Sequence, residues 1–325
     1  MLRRLKKVSE QIKLNDGDFN VIGDVFETLR FRGSIFFASK LAAPWGFLLE
    51  QSAFPRFHVS ISGSFYLSTD NKNVVYVQER EIIMLANDGK HWIADQPDRE
   101  LIPSEQARKA CRLGQPLFQQ GKITNHIVCG LVNYDRKLSH PVFDSFPSLL
   151  HFSKFEPSDP IWVLVNLVVT EMNRTNGRGD LIVDRLAEAL FLQLMNRYFL
   201  ENKETIGFFA ALKDRQVHQA LKLIHKEPAS EWSLSLLSER VGMSRATLVR
   251  HFQDTIGIAP MTYVMNWRIL KAYNLIKSSS IPLEKIAELV GFMSAKTLSK
   301  TFQRYYDCTP SELRTNSKQR THDNR

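Results

Sequence analysis

Arg245, Arg250, Lys296 and Lys300 occupy matching places in two similar stretches near the C-terminus, and no other side chains in the sequence suggest chemistry so directly. A guanidinium can grip a pair of acceptors with two parallel hydrogen bonds or clamp a phosphate, and an ammonium does either more loosely. Ala246 and Val249 lie beside the first pair, Ala295 and Ser299 beside the second. Ala and Val can touch only a methyl group or a sugar, whereas Ser can add a hydrogen bond. Together they have the chemistry of a surface that meets a nucleic-acid groove.

The flanking residues predict the elements that present this surface. The first stretch reads Val241-Gly242-Met243-Ser244 and continues to Leu248 and Phe252; the second reads Val290-Gly291-Phe292-Met293-Ser294 and continues to Leu298 and Phe302. An apolar helix should precede each Gly, which suits the left-handed residue past a helix end. Ser244 and Ser294 stand where an N-cap is wanted. Leu248 with Phe252, and Leu298 with Phe302, make i, i+4 stripes that bury one helix face and leave the basic face outward. Phe252 and Phe302 are 50 positions apart, as are Pro260 and Pro310. Duplicated helix-turn-helix units can place two recognition helices in successive major grooves, about 34 Å apart. A helix from Pro260 to about Ser278 should join the units, with Met261, Val264, Ile269, Leu270, Tyr273 and Ile276 packing on both.

Residues 208–316 resemble the DNA-binding domain of the AraC/XylS family of bacterial transcription regulators. The match runs through Gly257-Ile258-Ala259-Pro260, Tyr263, Arg268, Ile286 to Phe292, and Thr309-Pro310-Ser311-Glu312-Leu313-Arg314. Asp307, Thr309 and Leu313 depart from the residues usual there, all in the closing turn and its packing. The resemblance implies a sequence-specific regulator, more often an activator, that binds double-stranded promoter DNA and works with RNA polymerase.

Charge agrees with this reading. Residues 208–325 carry 18 Lys and Arg against 10 Asp and Glu, a net of +8, which leaves +1 of the overall +9 for the rest. Such concentration suits an electrostatic footprint for phosphates. Three scattered cysteines, Cys111, Cys129 and Cys308, imply no disulfide framework and fit a reducing cytoplasm. The basic N-terminus lacks the apolar stretch of a secretory signal, and the run Ile161–Val169 is too short to span a membrane.

Residues 20–150 show short apolar or alternating runs, among them Ser34–Ala38, Phe57–Ile61, Val74–Val77, Ile82–Leu85 and Ile123–Val132, separated by turn-forming residues. They predict a β-barrel or jelly roll. The region resembles the cupin-like effector domain of one branch of the same family, through Phe31 to Phe37, Ala43-Pro44-Trp45-Gly46-Phe47, Phe57-His58-Val59, His91 to Pro97 and Cys129-Gly130. The expected fold is therefore α+β and multidomain: a cupin-like barrel over 1–155, a helical dimerisation or linker region over 156–207, and an all-α domain with two helix-turn-helix units over 208–316. Helices are predicted at Asp159–Arg174 and Leu181–Glu201, the second with an apolar stripe suited either to the barrel or to a homodimer. A linker is predicted around Glu201–Thr205.

A small barrel can enclose one ligand, so Phe36, Trp45, Phe57, His58 and His91 are the candidate effector pocket. Cupins typically hold a metal with a His-x-His pair, a Glu and a later His; here the first motif is reduced to His58, with His91, His126 and Cys129 as further donors. His126 and Cys129, three apart on a strand, should face opposite ways. No cofactor and no catalysis are expected, since no Ser-His-Asp arrangement, phosphate loop or Gly-rich nucleotide fingerprint stands out. The alternative is a cupin-type metal-binding protein or enzyme that carries a DNA-targeting domain.

Overall fold

The computed structural model describes residues 18–69, 73–86, 89–112, 117–153, 155–174, 180–201 and 207–323. The chain folds into two compact units that do not follow one another in sequence order. One gathers the described parts of 1–30, 135–145 and 203–325; the other holds 31–134 and 146–202.

The second unit is a β-sandwich. Its strands are β1 (Arg32–Ala42), β2 (Gly46–Leu49), β3 (Arg56–Ser62), β4 (Phe65–Ser68), β5 (Val74–Val77), β6 (Ile82–Leu85), β7 (His91–Ala94), β8 (Ile102–Pro103), β9 (Ile123–Asn133) and β10 (Leu149–Phe152). One sheet runs β1-β9-β3-β6-β10 and the other β5-β4-β7-β2-β8. Among the described residues no strand pair joins the two sheets, so the expected barrel is an open jelly-roll sandwich and not a closed one. β1 and β9 pair over their whole length, from Arg32 opposite Asn133 to Ala42 opposite Ile123. Phe37, Leu41, Trp45, Phe47, Phe65, Leu67, Ile83, Ile93 and Cys129 fill the space between the sheets.

Among the described residues, three helices complete this unit: α2 (Ser104–Arg112), α3 (Pro160–Arg174) and α4 (Leu181–Glu201). α4 packs on β1 and on α3, and buries Val183, Ala187, Leu190, Phe191, Leu194, Met195 and Phe199. The sequence places Leu186, Leu190, Leu194 and Tyr198 on one stripe with Ile182, Phe191 and Met195 beside it; Leu190, Phe191, Leu194 and Met195 are buried, Leu186 and Tyr198 half-buried, and Ile182 exposed. The linker expected at 201–205 falls, from 202 on, outside the described residues.

The described elements of the first unit are helices: α1 (Asp18–Leu29), α5 (Phe208–Ala211), α6 (Arg215–Lys226), α7 (Leu234–Arg240), α8 (Arg245–Ile256), α9 (Pro260–Ser278), α10 (Leu283–Val290), α11 (Ala295–Tyr306) and α12 (Pro310–Asp323). α1 buries Val21, Ile22, Val25, Phe26 and Leu29, an i, i+3/i+4 stripe, and packs on α6 and α9. The strap 135–145, which follows β9, belongs to this unit as well.

Candidate nucleic-acid interface

Each reading unit is built by two caps around one turn. Ser233 caps α7 by accepting the Leu236 N–H at 3.1 Å. At the far end Gly242 takes φ 68, and the Met243 N–H reaches back to Ser238 O at 2.9 Å. Ser244 then accepts the Thr247 N–H at 3.1 Å and starts α8. The second unit repeats the device. Gly291 takes φ 83, the Phe292 N–H bonds Ala287 O at 2.8 Å, and Ser294 accepts the Thr297 N–H at 3.2 Å to start α11. Leu248, Phe252, Leu298 and Phe302 are all buried, as their spacing predicts.

The two turns are not identical. Met243 and Phe292 occupy equivalent places, each donating its N–H to the residue five before it. Ser244 follows Met243 directly, whereas Met293 intervenes before Ser294. The additional residue projects outward, and Met293 is 99% exposed. Sequence patterning did not single it out, because a Met beside a Phe reads as core.

On α8, Arg245, Ala246 and Arg250 are exposed and Val249 is half-buried; on α11, Lys296 and Lys300 are exposed and Ala295 and Ser299 half-buried. None of the four cations forms an ion pair with a described residue. A row of unpaired cations beside small side chains on a rigidly capped helix can meet phosphates and base edges without first breaking internal bonds.

α9 sets the spacing of these faces. Its Tyr263 ring meets Phe252 of α8 edge-on, with centroids 5.7 Å apart, and its Tyr273 ring stacks on Phe302 of α11 at 6.1 Å. Trp267, between them, is also buried and was missed in the sequence, while Met261 is only half-buried. The two hydroxyls are held as well. Tyr273 donates to Asp135 at 2.7 Å, and Tyr263 lies 3.0 Å from His140 Nε2 and 2.8 Å from His225 Nε2. The Val142 N–H donates to His140 Nδ1, so a neutral His140 carries its proton on Nε2 and donates to Tyr263. Tyr263 in turn donates to His225 Nε2, and His225 Nδ1–H donates to Asp24 at 2.9 Å. Lys271 completes the chain on Asp24.

Electrostatics favour this arrangement. Burial holds His140 well below the usual imidazole range and His225 below it, the latter offset in part by Asp24. Burial pushes the Asp24 carboxyl up, but the bonds from His225 and Lys271 outweigh it and leave it below 3.8. Asp135 ends below 3.8 for the same reason, with burial opposed by Lys277 and Tyr273.

The candidate pocket residues lie in the sandwich. Trp45, Phe57, His58 and His91 are fully buried and Phe36 half-buried. Trp45 donates its Nε1–H to Asn125 at 3.0 Å. Phe36, with Phe37, Phe47, Leu49, Ile93 and Cys129, lines a cavity of ≈ 10 Å³, the space of about one water. His58 and His91 come together, with Nε2 atoms 2.9 Å apart, and Cys129 Sγ lies 2.9 Å from His58 Nδ1. His58 thus turns opposite ring nitrogens to its two neighbours, so the three donors do not converge on one point. Among the described residues no group of three or more His, Cys, Asp or Glu is arranged to hold a metal ion.

Comparison with known proteins gives two family matches. A cupin family model matches residues 20–200, more than half of the chain, and a helix-turn-helix domain model matches 237–316. The chain is 23% identical over 313 residues to the HTH-type transcriptional regulator AlkR of Acinetobacter baylyi, covering 92% of this chain and 100% of the relative. It is 22% identical over 295 residues to an AraC-like transcription regulator of Streptomyces antibioticus, covering 90% and 97%. Among solved structures, ToxT from Vibrio cholerae matches 88% of this chain and 97% of its own at 13% identity, with a TM-score of 0.35. The DNA-binding domain of AdpA in complex with a target DNA matches 33% and 96% at 25% identity, with a TM-score of 0.31. Both scores are low, so the assignment rests on the sequence matches. No described helix is long and apolar enough to cross a membrane. A cupin domain, two capped helix-turn-helix units and full-length relatives of one kind place the chain in the AraC-type family of DNA-binding transcription regulators.

Proposed function

We propose that this regulator binds promoter DNA with α8 and α11 in successive major grooves, through Arg245, Ala246, Val249 and Arg250 on one and Ala295, Lys296, Ser299 and Lys300 on the other. The observation that carries the reading is the pair of matched, capped helices whose exposed cations have no described ion-pair partner. Residues 208–316 form the DNA-reading part of this proposal. It acts in the cytoplasm as a homodimer and activates transcription through RNA polymerase, in keeping with its family. A small apolar effector enters the sandwich near Phe36, Trp45, Phe57, His58 and His91, expanding the small cavity there, and shifts the balance between two arrangements.

The test is selection of genomic DNA by the purified full-length protein at physiological salt. Two conserved blocks about one helical turn apart are expected. Equal binding to any duplex, with a steep salt dependence and no motif, would overturn the reading in favour of a non-specific DNA-binding protein.

A further inference from the structure

The strap 135–145 touches the machinery of both recognition helices at once. Its Asp135 accepts a hydrogen bond from the Tyr273 hydroxyl, and its His140 bonds the hydroxyl of Tyr263. Those two tyrosines are the residues of α9 whose rings bear on Phe302 of α11 and Phe252 of α8. Ten residues separate them, about 15 Å along a helix. The strap therefore grips α9 at the two points from which the reading helices hang. Lys277, one turn beyond Tyr273, adds an ion pair to Asp135, and His140 sets its ring edge against Phe208 and Trp267.

The strap is also the direct continuation of β9. Asn133, the last residue of that strand, pairs with Arg32, the first of β1, and α1 ends three residues before Arg32. On α1, Asp24 bonds Lys271, and Thr28 O accepts from Asn274. Lys271, Asn274 and Lys277 recur every three residues along α9, and each is held by a segment covalently joined to one end of the β1–β9 ladder. Polar partners are costly to leave half-made where they are buried, as at Asn274, His140 and Tyr263.

We propose that the 135–145 strap is a spacing gauge: Asp135 and His140, acting through Tyr273 and Tyr263, fix the separation of the two recognition helices and so decide which spacing of DNA blocks the protein accepts. This rests on the reading that α8 and α11 bind one DNA together. Asp135 and His140 are positioning residues in this role and touch no DNA. A displacement of β9 would be passed to α9 through the strap, which gives the cupin unit a covalent route to the reading heads.

The experiment uses full-length protein and its selected site, with the two blocks moved apart or together by one or two base pairs. One base pair turns one block by about 35° against the other. Wild type is expected to lose about tenfold in affinity per base pair of misplacement, the cost of a lost base contact. Tyr273→Phe and Tyr263→Phe delete only the hydroxyls and keep the rings on Phe302 and Phe252, so they serve where Asp135→Ala or His140→Ala fails to fold. The variants are expected to bind misspaced sites within about threefold of the best one. A wild-type spacing profile in Tyr273→Phe and Tyr263→Phe overturns the gauge and leaves the DNA reading standing. A wild-type protein with no spacing preference overturns both.

Discussion

The Cys129 thiol donates a hydrogen bond to His58 Nδ1 across 2.9 Å, between directly opposed positions of β9 and β3. The direction is set from the far end. His91 Nδ1 donates to Gly89 O, so its Nε2 accepts from His58 Nε2–H, and His58 Nδ1 is left to accept from the thiol. Each donor has one acceptor, and both imidazoles are neutral. Burial accounts for the same state: it lowers His91 from 6.5 to about 4, lowers His58 well below 6.5, and raises the Cys129 thiol.

This chain makes stability depend on pH. Unfolded, both imidazoles return to 6.5 and bind protons that the folded sandwich refuses. Stability is therefore full above that value and lost as the pH falls through the window from 6.5 to about 4. His91 alone accounts for about 3 kcal/mol at the acid end. The thermal midpoint should drop steadily from about pH 7 to about pH 4.5, and His91→Gln should flatten the curve. A midpoint constant across that range in wild type would show that the histidines are not held neutral.

Arg250→Ala should weaken binding to the selected site by about 1–3 kcal/mol and relax preference at one base position, if the guanidinium reads a base edge. Contact with phosphate alone would instead weaken all sequences evenly and lower the salt slope by about one. Lys300→Ala should act likewise on the second block. Titrations at several salt concentrations distinguish these outcomes; an unchanged affinity and footprint would remove the residue from the interface.

Met293 has no packing to lose, so Met293→Ala should leave the thermal midpoint within the usual small range of surface changes. If the side chain lies against DNA beside the N-terminus of α11, affinity should fall by about threefold and Met293→Asp should cost more through repulsion of phosphate. Binding unchanged in both variants would place Met293 outside the contact.

Gly291→Ala should destabilise far more than Gly242→Ala. Both glycines have positive φ, which costs an Ala about 1 kcal/mol. A Cβ on Gly242 would meet nothing within 4 Å, whereas on Gly291 it would come within 2.8 Å of Pro228 O and Ala229 Cα. That backbone is held by Arg268, which donates to Pro228 O and Ser230 O. Chemical denaturation of the two variants compares the costs, and equal values would refute the close approach.

The paired reading heads were legible because their signals are local. Caps, left-handed glycines and i, i+4 stripes lie within a dozen residues, and Ser244 and Ser294 cap their helices as their positions predict. The Asp307 departure fits its place, a left-handed residue at φ 51. Elements without local signals were missed. β8 has two residues, too short to show a period; β2 and β10 went unrecognised although β5 and β6, equally short, were found, and α1 lies before the first recognised strand. The grip on α9 was invisible for a different reason: His140 and Tyr263 are 123 positions apart, and Asp135 and Tyr273 138. A lone Asp or His in a loop carries no sign of a partner that distant. The cupin match over 20–200 likewise runs through α1 and the strap, which pack with the DNA-reading helices.

The pairing of Asp24 with Lys271 also sets a timetable for synthesis. The two residues are 247 positions apart, so α1 leaves the ribosome long before α9 exists. At 5–20 residues per second the wait is roughly 12–50 s. Through most of that interval Val21, Ile22, Val25, Phe26 and Leu29 await α6, which begins at Arg215, and until its end they await a complete α9. Nascent chains of this protein thus carry the greasy face of α1 without its helical partners, the kind of surface that chaperones shield, until α6 and then α9 have been made.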